Sequence, residues 1–200
     1  MFDYLPNDSA TSDIFMTIPL PRLSADSPEI TVVGLKPRAK AVPGTAEAQA
    51  AQVYASVVFA LNAVQSFIPS PIRAWAATEN LVAIPRAGEQ KNAMYDRSSL
   101  RFFYWKVPGT MRTAYACDSA DVVSHETGHA ILDALRPELW NMQSLEVAAY
   151  HESFGDMVAV LAALQHGPMV ARVLAETGGD LRKHNSAERV AEELGAALAT

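Results

Sequence analysis

Residues 122–135 read VVSHETGHAILDAL. Two histidines four positions apart, His125 and His129, stand in an apolar run with one acid, Glu126, lodged between them. Polar side chains buried without partners are costly, so this run needs a use for them. In a helix, positions i and i+4 lie one above the other on the same face. The two imidazoles then project side by side, at the separation a single metal ion requires. Glu126 is rotated off that axis, where it reaches a water on such a metal without ligating it. This is the zinc-peptidase pattern H-E-x-x-H, with the glutamate as general base. The rival is a helix whose polar groups merely face solvent, and apolar neighbours on both sides argue against it.

A catalytic zinc takes three protein ligands and keeps one position open. A third histidine spaced H-x-x-G-x-x-H is excluded, because Leu132 and Leu135 occupy those positions. Downstream, EVAAYHESFGDMVAVL (146–161) carries Glu152 and Asp156, again i and i+4, in an apolar setting. Two carboxylates buried on one helix face need a cation opposite. Glu152 is expected as the third ligand. Asp156, one turn on, is placed to accept the second ring N–H of a ligating histidine, which fixes its tautomer. Asp133, four residues after His129, is the rival third ligand, disfavoured because it has no such supporting partner.

Around this centre the chain divides in two. Residues 1–28 hold Pro6, Pro19, Pro21 and Pro28 and read as an extended arm, with one short strand at IFMTI (14–18). Strands are expected at ITVVGL (30–35), IRAWA (72–76), LVAIP (81–85), NAMY (92–95), LRFFYW (100–105) and TAYAC (113–117). A helix capped by Thr45 runs to about Phe67 with Val53, Val57, Leu61 and Val64 on one stripe. The second half is helical. One helix, capped by Asp118 or Ser119, runs to Leu135 before Pro137, and another runs from Ser144 to Gln165, closed by Gly167–Pro168. Shorter helices follow at 169–176 and 187–199, the last with no stop signal, as if a larger protein continued.

With these residues in place, the chain resembles the gluzincins, and within them the catalytic N-terminal domain of thermolysin-like peptidases. The shared features are DVVSHETGHA (121–130), the E-x-x-x-D at 152–156, and NAMY, which looks like the family's Asn-Ala-aromatic edge strand. The resemblance implies an α+β zincin-type domain over residues 29–166, a twisted mixed sheet packed on an active-site helix and a glutamate helix. Residues 167–200 would be a helical extension, the start of a truncated second lobe. It further implies zinc held by His125, His129 and Glu152, Glu126 as base, Asp156 orienting His125, and Asn92 and Ala93 binding a peptide or protein substrate through the strand edge. The chain departs from the family in carrying Trp140 where a tyrosine is expected, and in lacking the lobe that supplies a further histidine. These departures predict a zinc-loaded, half-built site with weak peptidase activity, unless His184 folds back as a donor. The alternatives are a zinc-binding domain with a scaffold or peptide-binding role, and a metal-dependent hydrolase of a non-peptide amide or ester.

Composition sets the outer bounds. The 200 residues are half hydrophobic and carry a net charge of −6, which disfavours nucleic acid as a partner. Cys117 is the single cysteine, read as a small buried apolar residue, so no intrachain disulfide is available. No apolar run is long enough for a membrane span and the N-terminus lacks a secretion signal, so a cytoplasmic setting is expected. Nothing in the sequence sets an oligomeric state. His151 is expected either in the outer shell of the metal or as a structural histidine.

Overall fold

The computed structural model describes residues 1–8, 13–36 and 42–199; residues 9–12 of the expected arm, 37–41 of the expected domain and residue 200 lie outside the described residues. The fold is α+β. Its main sheet has the order β3 (Glu29–Val32), β4 (Asn80–Ile84), β6 (Ser99–Phe102), β5 (Ala93–Tyr95). β3, β4 and β6 run parallel, and β5 returns antiparallel to β6 at the sheet's edge. The turn between β5 and β6 is polar: the Asp96 carboxylate accepts from the backbone N–H of Ser98 and Ser99 at 3.1 and 2.7 Å.

Against the sheet lies α1 (Ala46–Gln65), capped by Thr45, whose side chain accepts from the Ala48 N–H at 3.2 Å. Its expected stripe is buried, with Val53, Val57, Leu61 and Val64 packed on Leu81, Ala83, Leu100 and Phe102. Each such side chain contributes roughly 1.5–3 kcal/mol relative to exposure. The site helices follow as α2 (Ala120–Leu135) and α3 (Leu145–Ala163), joined by a 3₁₀ turn at Pro137–Asn141. Ser144 caps α3 by accepting from the Val147 N–H, whereas Ser119 precedes α2 without a side-chain cap bond. Gly167–Pro168 does not only close α3. It opens α4 (Gly167–Thr177), with Pro168 in the first turn, where its missing N–H costs nothing. A further 3₁₀ turn (Ser186–Glu188) and α5 (Glu192–Leu198) complete the described chain.

Several expectations are corrected. The N-terminal segment is more than an extended arm: β1 (Phe2–Tyr4) pairs antiparallel with β2 (Met16–Ile18), which lies within the expected IFMTI strand. Gln52 of α1 both donates to and accepts from the backbone of Leu5, and Tyr4 is fully buried with its hydroxyl 3.3 Å from Ser56. IRAWA is irregular rather than a strand. Ile72 and Trp75 are buried, but Trp75 uses its indole N–H on the Glu29 carbonyl, tying the segment across the end of β3. LRFFYW is two strands broken at Phe103, since β7 (Tyr104–Lys106) leaves the main sheet to pair with β8 (Thr113–Tyr115). Its aromatics Phe102 and Trp105 are core. The C-terminal segment folds back on the domain, with Ala197 buried in the main core and Lys91 Nζ donating to its carbonyl at 2.7 Å. Among the described residues no single helix is long and apolar enough to cross a membrane.

Candidate metal centre

α2 crosses α3 at a pair of glycines. A Cβ on Gly128 would come within 2.9 Å of the Gly155 Cα, and one on Gly155 within 2.8 Å of the His125 ring. Only the absence of both side chains lets the two backbones close and the His125 imidazole lie over α3. The rings of His125 and His129 stand 4.7 Å apart, edge to face. Reasoning from sequence missed both glycines. Their signal was glycine inside helical runs, which usually marks a close packing contact.

From α3, Glu152 reaches across to both imidazoles. One carboxylate oxygen lies 3.4 Å from His125 Nε2 and the other 3.8 Å from His129 Nε2. Asp156 meets His125 on its far nitrogen, Oδ1 to Nδ1 at 2.8 Å. With the proton on Nδ1, His125 presents the Nε2 lone pair toward Glu152. The α3 carboxylates are not buried as expected: Glu152 and Asp156 have side chains 68% and 57% exposed, so their cationic complement is needed on one side only.

Glu126 sits deeper, 8% exposed, and accepts the backbone N–H of Tyr95 from β5. Burial, reinforced by the Glu152 carboxylate and opposed by His125, pushes its pKa up to about 7. Burial, with His125 and His151 adding to it, lowers His129 to about 3, so its ring is neutral at pH 7, the form that ligates metals. Ligand atoms of His125, Glu126 and His129 all lie within 4.8 Å of one another, a spacing that could hold a metal ion. Two buried nitrogens nearby, His129 Nδ1 and His151 Nε2, lack a hydrogen-bond partner.

The rival Asp133 is fully buried and otherwise engaged. Arg97 grips it through Nε and a terminal nitrogen at 2.9 and 3.1 Å, and the Tyr95 hydroxyl donates to it at 2.9 Å. Cys117 is buried, and burial raises its thiol pKa, as an inert packing residue requires. His184 is fully exposed, paired with Glu188 at 2.6 Å; Glu188 lines the cleft and His184 does not. Trp140 walls the cleft, its ring edge-on to Tyr95.

The cleft has a volume of about 1540 Å³. Asn92 and Ala93 line it from the β5 side, His125, Glu126 and His129 form its floor, and Val190, Ala191 and Leu194 close the far wall. That wall is latched by Asp121, whose Oδ2 accepts the Ala191 N–H at 2.5 Å. Asp121 is fully buried, and burial with the neighbouring Asp8 pushes its pKa up to about 7. No sequence signal marked Asp121 for this role. Compared with known protein families, curated proteins and solved structures, the chain has no match.

Proposed function

We propose that the chain is a zinc-dependent metallopeptidase domain of zincin type, with His125, His129 and Glu152 as metal ligands and Glu126 as general base. The observation that carries this reading is the Glu152 carboxylate set 3.4 and 3.8 Å from the two Nε2 atoms. Neighbouring ligands of a tetrahedral zinc, each about 2.1 Å from the metal, stand about 3.4 Å apart. Glu126 also lies close, within 4.8 Å of both imidazoles, but it is buried and projects from the same helix between them, which suits a proton carrier beside the metal better than a ligand on it.

Zinc bound there would supply Lewis acidity, polarising a scissile carbonyl and making a water acidic near pH 7. Glu126 would take a proton from the attacking water and deliver it to the leaving amine. Asp156 holds His125 in the tautomer whose Nε2 is free to ligate. β5, hydrogen-bonded to β6 on one side only, offers its other edge, with Asn92 and Ala93, to an extended peptide or protein substrate. The cleft is larger than the roughly 300–1,000 Å³ typical of small-molecule pockets, which favours a chain-like substrate. The buried lone cysteine and the acidic balance suit a cytoplasmic protein.

The test is zinc content together with cleavage of an unfolded protein. Glu126→Gln should keep zinc and fold while lowering turnover about 10²–10⁴-fold, because it removes a base and no ligand. His129→Ala should lose the metal. A parent chain that neither contains nor takes up zinc, or a fully active Glu126→Gln variant, would sink the reading.

A further inference from the structure

Each metal-facing imidazole has a second nitrogen, and the two are treated differently. His125 Nδ1 is met by Asp156, while His129 Nδ1 is buried and unmet. If His129 gives its Nε2 lone pair to a metal, its proton must sit on Nδ1. A buried donor left unpaired loses its hydration with nothing in return. Beside it lies the ring of His151, 5.7 Å between centroids and tilted by 42°. His151 Nε2 is buried and equally without a partner. A neutral imidazole carries one donor and one acceptor nitrogen, so two adjacent rings with one orphaned nitrogen each are chemically complementary.

The surroundings hold His151 in that place. Trp140 packs edge-on against it, with centroids 6.1 Å apart. Trp140 is itself fixed by Tyr95 on its edge and by the Arg97 guanidinium 5.5 Å above its face. Arg97 is locked on the buried Asp133. His151 thus has a braced wall behind it and His129 beside it.

We propose that His151 is a positioning residue of the metal site, its Nε2 accepting the Nδ1–H of His129 when zinc is held. This rests on the zinc reading above. Asp156 then braces one ligand with a charged acceptor and His151 braces the other with a neutral one. The neutral partner orients the imidazole without adding negative charge beside the metal, which preserves the acidity the metal lends to water.

The experiment measures zinc affinity of the full chain by competition with a chromophoric chelator, and the visible spectrum of the cobalt-substituted protein. His151→Phe keeps a ring against Trp140 but removes the acceptor. It should weaken zinc about 10–100-fold and shift the cobalt spectrum. His151→Gln, whose side-chain carbonyl can accept the same proton, should recover most of both. A folded His151→Phe protein with parental zinc affinity and parental spectrum overturns the inference while leaving the zinc reading intact. Equal losses in the Phe and Gln variants also overturn it, since plain packing would then explain the effect. A parent chain that takes up no zinc overturns the metal reading and this one with it.

Discussion

The two helices that supply the site live in opposite environments. α2 is enclosed along nearly its whole length, Asp121, Glu126 and Asp133 included, whereas α3 is buried only from Gly155 onward. The first half of α3 stands open, with Leu145 83% and Tyr150 48% exposed. His125 and His129 are therefore set by packing, while Glu152 reaches them from a solvated surface. On α2, desolvation raises the pKa of Asp121 and of Glu126. The exposed Glu146, at the start of α3, is lowered instead by its own backbone N–H and by Ser144. The division teaches that the floor of the site is preset and its third arm is adjustable.

The largest effect expected from this contrast is a pH dependence carried by α2. Unfolded, Asp121 ionises near 3.8, and folded it does so near 7. Between those values the folded chain binds the extra proton, so this residue's contribution to stability falls as pH rises from about 4 to 7 and then levels off. A shift of that size corresponds to a few kcal/mol at most, at about 1.4 kcal/mol per unit. Asp121→Asn keeps an oxygen for the Ala191 N–H and removes the titration. In metal-free protein, Glu126 adds a slope of the same sign, while the lowered His129 and His166 act oppositely as pH falls below 6.5. The difference between variant and parent isolates Asp121. Urea unfolding at pH 4, 5.5, 7 and 8 should show the variant gaining on its parent as pH rises; parallel curves would remove Asp121 from the ledger.

Next comes the seam between the helices. Gly155→Ala drives a methyl to within 2.8 Å of the His125 ring, so the ring must shift. Overpacking of this kind costs about 1–3 kcal/mol, and here it should also cost metal affinity because the displaced side chain is a proposed ligand. Gly167→Ala is the control, since a Cβ there meets nothing within 4 Å. If thermal unfolding found the two equally mild, the close crossing would be looser than the structure has it.

These glycines also mark where the sequence stopped being legible. His125, Glu126, His129, Glu152 and Asp156 could be singled out because i, i+4 spacing is a local property of a helix, and α3 brings its pair to the α2 pair as that spacing suggested. β4, β5, the cap at Thr45 and the helix start at Ser144 were local in the same sense. What escaped depends on partners far along the chain. Phe2–Tyr4 becomes a strand because Gln52 and Met16–Ile18 receive it, and IRAWA fails to become one because Trp75 bonds the Glu29 carbonyl. Phe103 splits an apparently continuous strand because its carbonyl is taken by the Ala116 N–H. The far wall of the cleft, with Val190, Ala191 and Leu194, is tied down in part by a buried acid accepting one backbone N–H, which no periodicity announces.

A smaller effect is expected at Asp156, which acts through His125 from an exposed position. Asp156→Asn keeps an oxygen near Nδ1 but loses the charge, so zinc affinity should fall toward the low end of the about 10–100-fold range typical of such outer partners. Stability of the metal-free chain should be nearly unchanged, because the side chain is 57% exposed. A fall in metal-free stability as large as that of Gly155→Ala would mean the His125–Asp156 contact holds the two helices together rather than orienting a ligand.

The smallest effect tests the open half of α3 directly. Leu145 begins the helix at 83% exposure, so almost none of its apolar surface is removed from water. At about 25 cal/mol per Å² buried, Leu145→Gln can lose little in the isolated chain, and substitutions of this type usually fall within about 0.5 kcal/mol. The same change at Leu132, 2% exposed on α2, removes a buried side chain and inserts an amide without partners, a loss of several kcal/mol. Urea unfolding of the two variants measures the asymmetry between the helices. Should Leu145→Gln destabilise by more than about 1 kcal/mol, its side chain must be covered in solution, and the third arm of the site would be as fixed as its floor.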